Sequence, residues 1–486
     1  MMEGKVLVVQ LARLGDLVQT WPLLRRLRHQ GPGQSLDLLA DSLLQGLHGL
    51  GPDLDQVWGL EIADLSARAH RDLPGAYERL HSLAAGFRGR RYGRVYNLNF
   101  SRVALLFAYL AGGEVRGYRP VNGGRDFLRD PWLALVYALV HARQVNRVHL
   151  SDVFRHLAPG GGHEPGAPVP TARSGEPIVA LQMATRHQRR TWPLKSFTRL
   201  AGLFVKRLGA WVWLLGTKAE AQLGEALQMG LSPALRERVI NLQGRTDLRE
   251  LAVRLQEAHL LVSGDTGTLH LAAALGTRTL GVFMGPASCF ETGPYGEGHW
   301  VFQAEPPCHP CAEAGGGCPE AFCQAMIPPE AVADVAVSLC TGGGVASPIS
   351  MPAGTRLYRS AFDPLGVSYL PVGTGYRFID LVGLAYRRAG AQLLGLPWPT
   401  RPLPSPVPGE DDRQNLERLA ATLKKGGSAA GHWQPWAKAL APLQAYRREM
   451  ERQQRLGRAK EEAVALLEKV ECGLQAGLEE LGAAGG

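Results

Sequence analysis

The run Val6-Leu7-Val8-Val9-Gln10-Leu11 constrains this chain more than any other segment. A near-continuous apolar run fits a parallel strand buried on both faces, because a strand with one wet face would alternate apolar and polar residues. The loop Ala12-Arg13-Leu14-Gly15-Asp16 follows, and Leu17, Trp21, Leu24 and Leu27 then recur at helical spacing. Strand, short loop and helix together form the repeating unit of an open α/β sheet. The unit returns with strands expected over 36–40 and 94–99, so the first half reads as a parallel sheet with crossover helices.

Apolar periodicity disappears over 159–177, where Gly, Pro, Ser and His dominate, and this segment reads as an interdomain linker. Beyond it the alternation restarts, with strands expected over 178–181, 211–215, 239–242, 260–263 and 279–283. Helices are expected over 195–207, 219–229, 248–257 and 269–275. Five strands alternating with helices make a second doubly wound domain. The expected organisation is therefore an N-terminal domain over 1–158, the linker, a second domain over 178–346, an irregular and Pro-rich stretch over 347–410, and a helical extension over 411–486.

At 486 residues with 45% hydrophobic content, the chain has enough apolar side chain for two or three cores. The apolar run after Lys5 is shorter than a secretory core, and the stretch 132–142 is shorter than a membrane span, so a soluble cytoplasmic protein is expected. The net charge of +9 includes a local group, Arg88, Arg90, Arg91 and Arg94. That group reads either as a solvated basic face or as a contact for anionic lipid or saccharide phosphate. No zinc-finger spacing, RNA-binding aromatic motif or sustained basic helix accompanies it, so nucleic acid is not the expected partner.

The segment with the most chemistry is Val262-Ser263-Gly264-Asp265-Thr266-Gly267-Thr268-Leu269-His270. A strand ending at Ser263 and a Gly-containing turn would aim backbone N–H groups and a helix dipole at one point, which favours a diphosphate. His270, one turn in, could donate to a phosphate or ribose oxygen. An ordinary helix capped by Asp265 or Thr266 explains the same residues.

Several segments, in order, resemble glycosyltransferase family 9, the lipopolysaccharide heptosyltransferases. They are the opening Val8-to-Val18 segment, Trp192-Pro193 with Phe197, Leu214-Leu215-Gly216 with Glu220, Asn241-to-Leu248, Asp265-Thr266-Gly267, and Phe283-Met284-Gly285-Pro286. The resemblance spans roughly 5–332. It implies a GT-B architecture, two Rossmann-like domains facing a cleft, and transfer of heptose from ADP-heptose to a lipopolysaccharide core or related envelope acceptor. It also implies that no catalytic metal or other cofactor is required. Transfer of another nucleotide sugar and a non-catalytic saccharide- or nucleotide-binding scaffold are the alternatives.

By this resemblance Asp16 is the catalytic base, taking the acceptor hydroxyl's proton in a displacement that inverts the anomeric carbon. Capping of the following helix is its other reading. Thr185, Arg190, Glu220, Asp265, Thr266, Gly267 and His270 match donor-binding positions. The family usually has Lys where Arg190 stands, which leaves open whether Arg189 or Arg190 faces the donor. Arg13, Arg116, Arg119 and Arg125 are candidates for acceptor phosphate, since lipopolysaccharide inner cores are anionic, with solvated surface as the competing reading. Trp58 and Trp192 read as packing residues rather than sugar platforms. The expected place of work is the cytoplasmic face of the inner membrane, with peripheral membrane contact.

Cys308, Cys311, Cys318 and Cys323 have a C-x2-C-x6-C-x4-C spacing that could place four sulfurs around one structural ion. Free thiols or loop-stapling disulfides are the other readings. The stretch from Trp436 to Leu481 carries one apolar stripe at helical spacing, with Pro442 expected in its first turn. Docking on the N-terminal domain, self-association and membrane adsorption would each bury that stripe.

Overall fold

The computed structural model describes residues 4–47, 49–161, 175–312, 318, 321–342, 345, 351–398, 410–424 and 434–483. Most of the linker over 159–177 lies outside the described residues, as do 343–344, 346–350 and 399–409 at the edges of and within the Pro-rich stretch, and 425–433 in the extension.

The first sheet comprises β1 (Lys5–Gln10), β2 (Leu36–Ala40), β3 (Gln56–Gly59), β4 (Tyr92–Asn97), β5 (Glu114–Val121) and β6 (Asp126–Arg129), in the order β3-β2-β1-β4-β5-β6. Pairing is parallel except that β6 runs antiparallel to β5. Central β1 is buried from Val6 onward, and that double burial is why its sequence is a continuous apolar run.

The second sheet comprises β7 (Ile178–Gln182), β8 (Trp211–Leu215), β9 (Val239–Asn241), β10 (Leu260–Ser263), β11 (Thr279–Phe283), β12 (Trp300–Ala304), β13 (Thr355–Asp363) and β14 (Gly366–Val372). Their order is β14-β13-β12-β11-β10-β7-β8-β9, with β13 and β14 added antiparallel at one end. The sheet thus has three strands beyond the five expected. The segment read as irregular over 347–410 instead holds the β13–β14 hairpin and a helix, Phe378–Leu393. The hairpin escaped notice because β13 interleaves Arg356 and Arg359 with its apolar residues. Arg356 is nevertheless buried, through its bond to Asp380 at 3.1 Å.

The extension folds back on the body. The Gln434–Arg455 helix packs on the apolar Pro131–Val140 helix, and Arg129 donates to Glu449 across that contact at 2.7 Å. The Lys460–Ala483 helix packs on Phe378–Leu393 and on the Glu410–Lys424 helix. The stripe is thus buried on the protein's own surface, by two helices rather than one. Gly457, at φ +100°, turns the chain between them, a conformation that favours a residue without Cβ. Pro442 lies inside its helix, not in the first turn. The carbonyl that loses its N–H partner there belongs to exposed Lys438, while the next carbonyl, Ala439 O, accepts from Tyr386 Oη at 2.9 Å.

The two sheets are joined by more than the linker. The Arg143 guanidinium donates to Glu291 and to the Cys311 carbonyl at 2.7 Å. Asp152 accepts from Tyr295 Oη at 2.8 Å and from Val367 N at 2.9 Å. Together these contacts fix how the loops of one sheet face those of the other.

Candidate active site

A cleft of about 990 Å³ separates the two sheets. The residues lining it follow the carboxyl ends of parallel strands: Arg13 to Asp16 after β1, Thr185 to His187 after β7, Gly216 and Thr217 after β8, Thr246 and Asp247 after β9, and Asp265 to Thr268 after β10. This is where open α/β sheets bind ligands, because parallel strands direct their loops and helix N-termini to one side.

Asp16 sits in the short helix Leu14–Gln19, where its Oδ2 accepts from the Arg13 backbone N–H at 3.2 Å. It therefore helps cap its helix while its carboxylate lines the cleft. Burial raises its pKa above the usual 3.8, opposed by the Arg13 N–H and by the charges of His270 and Arg13. A raised pKa makes the carboxylate a stronger base when ionised.

Across the cleft, Thr266 caps the Gly267–Ala274 helix by accepting from Leu269 N at 3.2 Å. The capping reading of this segment is realised, and the helix N-terminus still faces the cleft through Gly267 and Thr268. Arg190 Nη1 lies 2.5 Å from Asp265 Oδ2, and His270 Nε2 lies 3.5 Å from Asp265 Oδ1. Burial alone would raise the Asp265 carboxyl, but hydrogen bonding from His270 and the charges of Arg190 and His270 hold it below its ordinary value. Asp265 therefore stays ionised and orients two donors. Of the two arginines left open by sequence, Arg190 enters the cleft and Arg189 donates to the Ala312 carbonyl at 3.3 Å.

Glu220 also lines the cleft, where its Oε2 accepts from Thr217 N at 3.1 Å and Gln182 Nε2 at 3.2 Å. Thr185 hydrogen-bonds Thr191 at 3.0 Å, bracing the loop that carries Arg190. Asp16, Arg13 and every donor candidate thus meet in one cleft. Arg186, exposed in its wall, was not singled out from sequence, although its position directly after Thr185 in a strand-end loop is the signal that could have found it.

Arg116, Arg119 and Arg125 are absent from the cleft lining. They are exposed on β5 and the turn after it, and Arg116 pairs with Glu114 at 2.6 Å. A β5 residue points to one face or the other by strand alternation, which spacing of arginines alone does not reveal. In the basic group before β4, Arg90 pairs with buried Asp37 at 2.9 Å and Arg94 with Glu114 at 3.1 Å. Trp58 stacks edge-on to Phe87 and Trp192 on Phe197, both as packing residues.

Among the described residues no disulfide joins the four clustered cysteines. Burial, then the neighbouring Cys308, Cys323 and Cys318, push the Cys311 thiol up. Among the described residues no group of three or more His, Cys, Asp or Glu side chains is arranged to hold a metal ion.

Two facing doubly wound sheets, with a carboxylate on one side of the cleft and a helix N-terminus on the other, form a GT-B architecture. Residues 161–319 match glycosyltransferase family 9 (heptosyltransferase). Lipooligosaccharide heptosyltransferase 2 of Haemophilus ducreyi is 24% identical over 307 residues, covering 60% of this chain and 86% of that protein. The structure of the glycosyl transferase family 9 protein from Veillonella parvula aligns with a TM-score of 0.52 at 17% identity, over 69% of this chain and 97% of that one. The structure of the E. coli heptosyltransferase WaaC with ADP aligns with a TM-score of 0.51 at 19% identity, over 69% and 100%. The chain thus resembles glycosyltransferase family 9 over its second domain and heptosyltransferases over most of their length.

Proposed function

We propose that this glycosyltransferase moves heptose from ADP-heptose to a hydroxyl of a lipopolysaccharide core or related envelope saccharide, with inversion at the anomeric carbon. The observation that carries the reading is the placement of Asp16 opposite the Asp265, Arg190 and His270 cluster in one cleft. Asp16 accepts the proton of the acceptor hydroxyl as that oxygen bonds to the anomeric carbon. The bond from that carbon to the diphosphate oxygen breaks at the same time, and ADP leaves with the electron pair. Arg190 and the Gly267 helix N-terminus offset the charge that gathers on the leaving diphosphate. Glu220 accepts from the ribose hydroxyls of the donor.

No described helix is long and apolar enough to cross a membrane. The proposed setting is the cytoplasmic face of the inner membrane, where the acceptor is at hand.

The test is mass-spectrometric detection of transfer from ADP-heptose to heptose-deficient lipopolysaccharide, with NMR assignment of the product anomer. Thermal shift against ADP, UDP and GDP sugars accompanies it, since selective stabilisation reports donor affinity. Stabilisation by UDP sugars alone would remove the ADP-heptose assignment, and retention of configuration would remove direct displacement.

A further inference from the structure

After four apolar residues, Val6 to Val9, the central strand β1 ends on Gln10, which is fully buried. Packing alone would favour another apolar side chain there, and an amide at such a depth costs stability unless its polar atoms are bonded. The Gln10 amide is bonded on both sides. Its Oε1 accepts from Ala12 N at 3.3 Å and from Asn99 Nδ2 at 2.9 Å, and its Nε2 donates to Thr20 Oγ1 at 3.1 Å.

These bonds lead to both ends of the segment that carries Asp16. At the upstream end the loop leaves β1 with its first two amides turned to side chains: Leu11 N donates to Asn99 Oδ1 at 2.7 Å, and Ala12 N donates to Gln10 Oε1. At the downstream end Thr20 is fully buried, and the hydroxyl that accepts from Gln10 donates to the Asp16 backbone carbonyl at 2.8 Å. Thr20 directly follows the Leu14–Gln19 helix. A helix of six residues is too short to hold itself, so its place is set by what its ends are bonded to.

The Asp16 carboxylate has its own bond to Arg13 N at 3.2 Å, but Arg13 belongs to the same loop and moves with it. A polar connection from that loop to the sheet runs instead through Gln10, Thr20 and Asn99. Asn99 is tied down in turn: its N–H donates to Asn97 Oδ1 at 3.2 Å, and Asn97 Nδ2 donates to the Tyr118 carbonyl of β5 at 2.9 Å. The brace therefore reaches from β1 across β4 to β5.

We infer that Gln10, Thr20 and Asn99 are positioning residues, which act through Asp16 by fixing where its carboxylate stands in the cleft. The inference rests on the reading of Asp16 as the base and deepens it. A base must lie within hydrogen-bond reach of the acceptor hydroxyl as the new bond forms, and misplacement by about 1 Å costs about 100-fold in rate. Side chains that hold the loop on both sides of Asp16 set that distance.

The test uses the full-length protein with ADP-heptose and heptose-deficient lipopolysaccharide. Thr20→Val keeps the shape of the side chain and removes its hydroxyl, whereas Thr20→Ser keeps the hydroxyl. Thr20→Val is expected to lower kcat by about tenfold or more, with Thr20→Ser recovering most of that loss and the thermal shift by ADP unchanged in both. The deciding comparison is in the Asp16→Asn background, where no base remains to be positioned. There Thr20→Val should cost less than about threefold, because the two substitutions remove one function. Backbone hydrogen exchange over 11–19, read by mass spectrometry, should quicken by about tenfold or more in Thr20→Val while 263–270 keeps its wild-type rate. Asn99→Ala, at a half-buried position, carries the same tests if Thr20→Val does not fold. A cost undiminished in the Asp16→Asn background, or exchange over 11–19 equal to wild type, overturns the inference and leaves Asp16 as the base. Full turnover by Asp16→Asn alone overturns the base reading and the inference with it. If the wild-type protein transfers no heptose, the heptosyl reading fails, and the exchange result alone decides whether these side chains hold the loop.

Discussion

Gly15 and His270 meet across the domain interface: a Cβ on Gly15 would stand 3.0 Å from His270 Cδ2 and 3.6 Å from Gly267 Cα. Two helix N-termini, one from each sheet, therefore pack closely, Gly15 against the His270 ring and Gly267 against the Leu14 side chain. That closeness lets His270 act on Asp16, lowering a carboxyl that burial raises.

Gly15→Val places two methyl groups where the His270 ring lies. The domains must then separate by several tenths of an ångström or the ring must turn away from Asp265. Misplacement on the scale of an ångström costs about 100-fold in rate, so kcat/KM is expected to fall by that order while circular dichroism stays unchanged. Steady-state kinetics within twofold of wild type would show that the close approach is incidental.

Asp16→Asn should cost turnover and gain stability. Loss of a positioned base lowers kcat by about 100-fold or more, and donor binding should persist. A carboxyl whose folded pKa is raised holds its proton more tightly in the fold. Its favourable contribution is full below the unfolded value of 3.8 and is lost as pH rises through the folded value. At pH 7 the ionised side chain is therefore a destabilising one. The Asn variant should melt higher than wild type at pH 7, with the gap shrinking as pH approaches 3.8. A lower melting temperature for Asn at neutral pH would contradict the burial argument.

Arg190 and Asp265 form a pair with side chains 14% and 7% exposed, so truncating Arg190 strands a carboxylate in a dry site. Breaking such a pair costs about 3–5 kcal/mol, and Arg190→Ala is expected to lose much of that in urea unfolding together with ADP stabilisation. Arg190→Lys keeps the charge without the planar fork and should hold ADP affinity within about tenfold. Equal losses for the two variants would mean that charge is not what Arg190 supplies.

Much of this arrangement is legible in the sequence. The central strands β1, β7, β8, β10 and β11 are buried on both faces, so their apolar runs announce them. Edge and antiparallel strands do not: β3 is Gln-Val-Trp-Gly with half-exposed residues, and β5 mixes Glu114, Arg116 and Arg119 into its length. The cleft loops that carry Thr185, Glu220 and Asp265 were readable because each follows a legible strand. The cavity of about 760 Å³ that shares Asp16 and Leu150 with the cleft was not, since it is assembled from residues as far apart as Gln10 and Leu157, and its Arg129 is paired with Glu449, 320 positions away.

Four histidines pushed down by burial, His156 among them, set the acid limit of the fold. Burial pushes His149 and His299 down to about 3 and His309 to about 4, from an ordinary 6.5. His149 is held neutral between the Gly293 carbonyl at 2.7 Å and the Ser151 N–H at 3.1 Å, so it reads the contact between the two domains. A depressed histidine contributes stability that is present above 6.5 and is lost as pH falls towards the folded value, because the unfolded chain takes up the proton first. Melting temperature should therefore fall steadily between about pH 6.5 and 4, and His149→Asn should flatten that slope. A melting temperature constant across this window would reject the assignment.

Glu449 links the extension to the first domain. It neutralises Arg129 at 2.7 Å, and Gln453 Nε2 donates to the same Oε1 at 2.7 Å. Arg129 is 8% exposed and lines the cavity beside Asp16. Glu449→Ala leaves that guanidinium charged and buried, with aromatic partners such as the Tyr137 and Phe127 rings but no carboxylate paired to it, which should destabilise the protein by about 3–5 kcal/mol. Glu449→Gln keeps a hydrogen-bond acceptor and should lose less, yet it releases a positive charge into an apolar wall. The Gln variant should therefore raise the acceptor KM while the thermal shift by ADP stays at its wild-type size, because the donor residues lie across the cleft. Acceptor titrations at saturating ADP-heptose separate the two quantities. If the Gln variant loses ADP stabilisation along with acceptor affinity, the extension shapes the whole cleft rather than one wall of it.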